Sequence, residues 1–156
     1  MATATTHSND TLQFATFYLG DLLLGIDIQQ VQEINRVLEF TRIPHAASAV
    51  RGVINLRGEV VTVVDLRLAL RLPKASVTRR TRNVIVNSGE EAIGLIVDQI
   101  ADVITARADE IDPRPENISG IDNTFFRGVY KLSHGLLVIL NVDDILSAII
   151  AERSNA

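Results

Sequence analysis

Two stretches decide the fold when set one above the other: RGVINLRGEVVTVVDL, residues 51–66, and RGVYKLSHGLLVILNV, residues 127–142. Arg51, Gly52, Val53 and Leu56 match Arg127, Gly128, Val129 and Leu132 at an offset of 76. Upstream, GIDIQQVQEI at 25–34 aligns without gaps on GLIVDQIADV at 94–103, at an offset of 69. The seven-residue difference falls between the two motifs, where the second copy holds DEIDPRPENISGID. The chain is an internal repeat, which is read before any single element is assigned.

Within each copy, runs rich in Val and Ile are punctuated by Gly and Asp turns, a β pattern. The first copy predicts strands over 12–19, 22–28, 31–38, 50–56 and 59–66; the second, over 83–88, 91–97, 100–106, 127–132 and 135–142. Hydrophobic residues make up 47% of the 156 residues and aromatics 4%, so the core is built from branched aliphatics. Two small antiparallel barrels packed together are the expected architecture. Residues 28–38 also fit a helical period through Ile28, Val31, Ile34, Val37 and Leu38, but the second copy favours a strand. One helical turn is expected over 44–49 behind Pro44. A C-terminal helix in NVDDILSAIIAER is expected to be capped by Asp143 and to pack Ile145, Leu146, Ile149 and Ile150 on a barrel.

Residues 1–11 are expected to form a mobile tail, 12–150 one domain of two pseudo-repeated subdomains, and 151–156 a second tail. No cysteine is present, which removes disulfides, thiolate nucleophiles and cysteine zinc sites. No signal-like start and no membrane-length apolar run is found, so a soluble, cytoplasmic protein without membrane insertion is expected. Net charge is −4, and with few aromatics this argues against nucleic acid as a partner. Charge is unevenly placed: residues 67–82 hold Arg67, Arg71, Lys74, Arg79, Arg80 and Arg82 without an acid, while 98–122 hold seven acids against two Arg. Such polarity suits oriented protein docking.

An enzyme finds little support. His7, His45 and His134 have no metal-ligand spacing, so no metal is expected. Nucleophile elbows and phosphate-cradling glycine loops are absent, and no cofactor is implied. Asp65 and Asp27 read as ion-pair or turn-capping carboxylates rather than bases. No catalytic residue is assigned.

FATFYLGDLLLGIDIQQVQEI (14–34), TRIPHAASAVRGVINLRGEVVTVVDLR (41–67), AIGLIVDQIADVI (92–104) and ILNVDDIL (139–146) resemble the CheW family of bacterial chemotaxis coupling proteins. The family usually has Pro where Thr62 stands. The resemblance implies an all-β fold of two intertwined, five-stranded SH3-like barrels with short helices. It also implies a non-enzymatic adaptor that joins chemoreceptor cytoplasmic tips to the regulatory domain of the histidine kinase CheA. Further copies in rings, and a place at the inner face of the membrane in receptor arrays, are implied with it. Carried over by position, the receptor groove holds Val31, Glu33, Gly52, Arg57, Ile100 and Val103; the kinase-binding residues stay unassigned.

Val31, Ile100 and Val103 would supply apolar area and Arg57 directional hydrogen bonds. The competing readings are plain packing for the apolar three, a tight backbone for Gly52, which its twin Gly128 supports, and a surface pair with Glu59 for Arg57. The second copy has Ser133 where the first has Arg57, so the barrel itself does not demand the arginine. The rivals are an adaptor of the same kind in a pilus, gliding or surface-sensing pathway, a barrel that binds a small ligand or oligonucleotide, and a noncatalytic enzyme subunit.

Overall fold

A computed structural model describes residues 10–36, 39–44, 46–89, 91–113 and 123–154. Residues 1–9 of the tail expected over 1–11, residues 37–38 of the expected third strand, His7, His45, the middle of the insertion and residues 155–156 lie outside that range; the end of that expected tail is instead ordered, with Thr11 in the first strand and Asp10 O accepting from Ala108 N at 2.9 Å. In chain order the strands are β1 (Thr11–Leu19), β2 (Leu22–Asp27), β3 (Val31–Arg36), β4 (Val50–Leu56), β5 (Glu59–Asp65), β6 (Arg82–Ser88), β7 (Glu91–Val97), β8 (Gln99–Ile100), β9 (Ile104–Arg107), β10 (Phe126–Leu132) and β11 (Gly135–Leu140). Helix α1 (Leu66–Ala69) follows β5 and α2 (Val142–Ser154) follows β11.

The strands form two sheets, each rolled as an SH3-like barrel. One runs β10-β11-β2-β1, with β1 pairing both β8 and β9; the other runs β4-β5-β7-β6-β3. Under the repeat, β1 to β5 correspond to β6, β7, β8/β9, β10 and β11, and the two sheet orders are then identical. One sheet takes the β1–β2 hairpin from the first copy and its other strands from the second, and the other sheet takes the β6–β7 hairpin from the second copy and its other strands from the first. The copies are joined by two parallel pairs, β2 with β11 and β5 with β7, and by the antiparallel pairing of β1 with β8 and β9 and of β3 with β6. Neither barrel is complete without both halves of the chain.

The repeated Arg-Gly-Val has a geometric cause. Each barrel is closed by chain beyond its third strand: Thr41 pairs with Val53, and Asp112 with Val129, each through two backbone hydrogen bonds of 2.8–2.9 Å. Beside each closure the strand bulges, between Val50 and Gly52 and between Phe126 and Gly128. A Cβ on Gly52, whose φ is +154°, would lie 2.2 Å from the Thr41 carbonyl oxygen; one on Gly128 would lie 2.5 Å from Ile111 Cγ2. Both positions therefore need glycine.

The largest core cluster lies between the barrels. Phe17, Leu24 and Ile26 from one sheet meet Val84, Val86 and Leu95 from the other, with Leu66 of α1 and Ile145 of α2. Smaller clusters fill the barrel interiors, around Ile85 in one and Phe14 in the other. A bidentate ion pair joins the ends of β5 and β7, and its carboxylate reaches the other barrel. Arg67 Nε lies 2.9 Å and Nη2 2.5 Å from the Asp98 carboxylate, which also accepts from Gly20 N at 2.8 Å, on the other barrel's β1–β2 turn. Arg67 thus pairs with Asp98 rather than with Asp65.

The interiors differ in the residue that lies over a repeated glycine. Phe14 packs over Gly25 in the first barrel. At the same offset, Asn83 lies over Gly94, where a Cβ would stand 2.5 Å from its Oδ1. Asn83 is 1% exposed and its Oδ1 has no hydrogen-bond partner; nor has that of Asn35, its register partner on β3.

Several expectations are corrected. Residues 44–49 are not helical in their described part; Asp65 N donates to Ala49 O at 2.8 Å and draws this segment alongside β5. The strand expected over 100–106 is broken at 101–103, where Ala101 N donates to Thr16 O at 2.9 Å and the chain bends around β1. Residues 28–30 form a 3-10 turn before β3. Helix α2 begins earlier than expected and is capped by Asn141, whose Oδ1 accepts from Asp144 N at 3.1 Å, while Asp143 takes a hydrogen bond from Ser88 Oγ. It runs to Ser154, so the tail expected from residue 151 is helical through 154. Its Ile145, Leu146 and Ile149 are buried in the inter-barrel core as the stripe predicts.

Three outcomes follow from this packing. Asn83→Leu, near in volume, removes a buried unsatisfied amide that costs about 1–3 kcal/mol and is expected to raise the melting temperature in calorimetry. Gly128→Ala is expected to lower it, because backbone and Ile111 must move aside. For Asp98, hydrogen bonding from Arg67 holds the carboxyl below its usual range. A depressed folded pKa gives stability that is present above the unfolded value near about 3.9 and lost as pH falls through the folded one. Denaturant titrations should therefore show the native protein losing stability below about pH 4 more steeply than Asp98→Asn.

Candidate functional site

The candidate site begins with a turn. Leu56 pairs with Glu59, leaving Arg57 and Gly58 as the two connecting residues, with φ of +52° and +87°. Positive φ at both residues is the signature of a type I′ hairpin, for which Asn or Gly would be the unstrained first residue. Holding an arginine there costs about 1–2 kcal/mol. Asn55 Oδ1 accepts from Gly58 N at 2.8 Å and fixes the turn.

Glu33 receives the arginine. Its side chain is on β3, at the far edge of the same sheet, and its carboxylate accepts from Arg57 Nη1 at 3.4 Å and, more closely, from Nη2. The pair closes the barrel between its two edge strands. Glu33 also accepts from Asn35 Nδ2 at 3.3 Å. The hydrogen bond from Arg57 lowers the Glu33 pKa, and the same contact raises that of Arg57. With its side chain 66% exposed, Arg57 keeps most of its five-donor fork facing solvent. Its partner is therefore Glu33, not Glu59.

The remaining residues carried over by position are placed as follows. Val31 and Ile100 are half-buried and pack against the same inter-barrel cluster, Val31 in register with Val86 and Ile100 with Phe17. Each therefore presents one side to the core and one to the surface, between the barrels. Val103 is 52% exposed in the bend between β8 and β9. Gly52 is buried beneath Thr41 and acts on the closure of its barrel. The structure thus brings Glu33 and Arg57 into contact and Val31 and Ile100 onto one core, while Gly52 stands apart from the turn, at the Thr41 closure.

Ile34 was not among the expected residues. It is 40% exposed next to Glu33, and it occupies in the first copy the place of Val103 in the second. The offset of 69 is the signal that points to it. Val60, 68% exposed and three residues after Arg57, adds apolar surface beside the turn; nothing in the alternation of β5 distinguishes it from a solvated strand end.

The carboxylates weighed for catalysis are occupied structurally. Asp65 caps α1 by accepting from Arg67 N at 3.0 Å, and Asp27 caps the 3-10 turn from Gln29 N at 2.9 Å while pairing with Arg127 at 3.5 Å. Among the described residues no group of three or more His, Cys, Asp or Glu gathers to hold a metal, and no helix is long and apolar enough to cross a membrane. The arrangement is that of a surface: an arginine fork held over an acid, with half-exposed aliphatics along the join of two barrels.

The sequence and the fold both have known relatives. Residues 13–149 match the family model of the CheW-like domain. The chain is 31% identical to a protein named chemotaxis protein CheW from Klebsiella aerogenes, over 95% of this chain and 90% of that one. It is 36% identical to one of the same name from Bacillus subtilis, over 78% of each. The crystal structure of the scaffolding protein TtCheW from Thermoanaerobacter tengcongensis superposes with a TM-score of 0.81 at 29% identity, covering 87% of this chain and 92% of that one. With its barrels, its repeat and nearly its whole described length accounted for in this way, the chain belongs to the CheW family.

Proposed function

We propose that the protein is a chemotaxis scaffold that couples the cytoplasmic tips of chemoreceptors to the regulatory domain of the histidine kinase CheA, at receptor arrays on the inner face of the membrane. The observation that carries this reading is Arg57. A strained turn presents a long, permanently charged side chain that the equivalent turn of the other barrel, between β10 and β11, lacks, and strain of this kind is kept where a side chain is used. The receptor-facing set is Val31, Glu33, Gly52, Arg57, Ile100 and Val103. Val31, Ile100 and Val103 offer an apolar seat for a helical hairpin tip. Arg57 and Glu33 offer a polar fork beside it, and Gly52 keeps the strand entry in place.

Glu33 orients the guanidinium rather than consuming it. The fork can hold a carboxylate or two carbonyls from a receptor helix in a plane, which a lysine cannot. No step of bond making is required, since the role is to hold receptor and kinase together.

The test is the rate of kinase autophosphorylation with a receptor signalling fragment, without added protein, with the native protein, and with Arg57→Ala and Arg57→Gly. The native protein is expected to activate strongly and both variants about tenfold less, as for loss of an interface hot spot. Arg57→Gly is the sharper variant: glycine relieves the turn, so its melting temperature should equal or exceed the native one while coupling is lost. Full activation by both would remove Arg57 from the site. No activation by the native protein would sink the coupling role itself.

A further inference from the structure

The segment between α1 and β6 is unlike the rest of the chain. Residues 71–82 hold Arg71, Lys74, Arg79, Arg80 and Arg82 with no acid; set these aside and ten cations remain against nineteen acids. A cationic arm on a strongly anionic body orients encounters with a partner of opposite charge. Arg71, Lys74, Arg79 and Arg80 are exposed, and among the described residues none of them forms an ion pair. Val77, in the middle of the arm, is 65% exposed.

The backbone adds an independent sign of use. Helix α1 ends with Leu72 N donating to Arg67 O at 2.8 Å and Arg71 N to Leu68 O at 3.1 Å, and Arg71 has a φ of +62°. That is the left-handed position which helix ends give to Gly or Asn. Among the described residues, the two non-glycines at positive φ are Arg57 and Arg71. Both are exposed arginines, each standing where an uncharged residue would be easier to hold.

Position separates the two. Strand β5 leads from the Arg57 turn to Asp65 and so to the arm, and its seven residues span about 20 Å. Beside the arm lies a cleft of about 250 Å³, lined by Lys74, Ser76 and Val77 of the arm and by Phe40 and Arg51; its two carboxylates, Asp65 and Asp98, are already engaged, one by the α1 backbone and the other by Arg67. Arg51 stands over the Phe40 ring, 5.6 Å from its centre. The surface therefore combines unpaired cations with an apolar floor.

We infer that this arm and its cleft dock an acidic segment of a second partner protein, the kinase, leaving the Arg57 end to the receptor. The inference rests on the coupling role, since an adaptor needs two separated faces. Carboxylates on the partner engage the arginine forks, and an apolar side chain between them meets Val77 and Phe40.

The experiment measures binding of the full-length protein to full-length kinase, and separately to a receptor signalling fragment, by fluorescence anisotropy between about 50 and 400 mM KCl, a range over which the Debye length roughly halves or more. The variants are Lys74→Gln/Arg79→Gln/Arg80→Gln together, and Arg71→Asn alone. The triple variant is expected to bind kinase about tenfold more weakly at the low-salt end, with the gap closing as salt rises, and to bind the receptor fragment as the native protein does. Arg71→Asn is expected to melt at a higher temperature and yet bind kinase more weakly, a combination that a purely structural arginine would not produce. Native affinity and native salt dependence in the triple variant would overturn the inference, as would an equal loss toward the receptor fragment. So would arm-dependent binding to vesicles of anionic phospholipid with kinase binding untouched. Failure of the native protein to bind either partner is a different result, which removes the coupling role and this inference with it.

Discussion

The structure depends on two parallel strand pairs, β2 with β11 and β5 with β7. A parallel pair cannot be joined by a tight turn, so its strands must come from distant parts of the chain. Here they come from different copies of the repeat, and each barrel is left open until the other copy's hairpin is inserted. The inter-barrel core is complete only with both insertions in place, because its members come from both sheets and both helices. Neither barrel is therefore built from one copy alone, and the two are expected to unfold together. The Arg67–Asp98–Gly20 contact adds a polar link between barrels that the core already joins.

Much of this is legible in the residues. Alternation and glycine turns place nearly every strand, because a half-buried strand must alternate. The repeated Arg-Gly-Val reports a constraint as local as the contact of a Cβ with the Thr41 carbonyl. The hairpin exchange is less legible: copies paired within themselves would show the same periodicity, and only the resemblance to a known family separates the two. The helical turn expected at 44–49 fails because Ala49 has a better use for its carbonyl, beside Asp65. The break at 101–103 is likewise set by a long-range partner, Thr16, which no local pattern announces.

At the site, the type of each residue is legible and its partner is not. Arg57 stands out because the second copy lacks it, but its acid, Glu33, lies 24 positions away on a strand at the opposite edge of the sheet. Glu59, its neighbour in sequence, is the natural guess. Barrel closure alone makes the distant acid the nearer one. Gly52 shows the reverse case, where a residue attributed to a binding surface is first of all required by the backbone that carries that surface.

The exchange of hairpins between two alike halves makes this chain, in effect, a swapped dimer with its two protomers joined end to end. A true dimer of identical chains must show the same face twice, since symmetry copies every substitution to both sides. Joining the halves lifts that obligation. One turn keeps an arginine where its twin has Ser133, and one interior keeps Asn83 where its twin has Phe14. Asymmetry of this kind lets a small domain meet two unlike neighbours without ever presenting either with the wrong side.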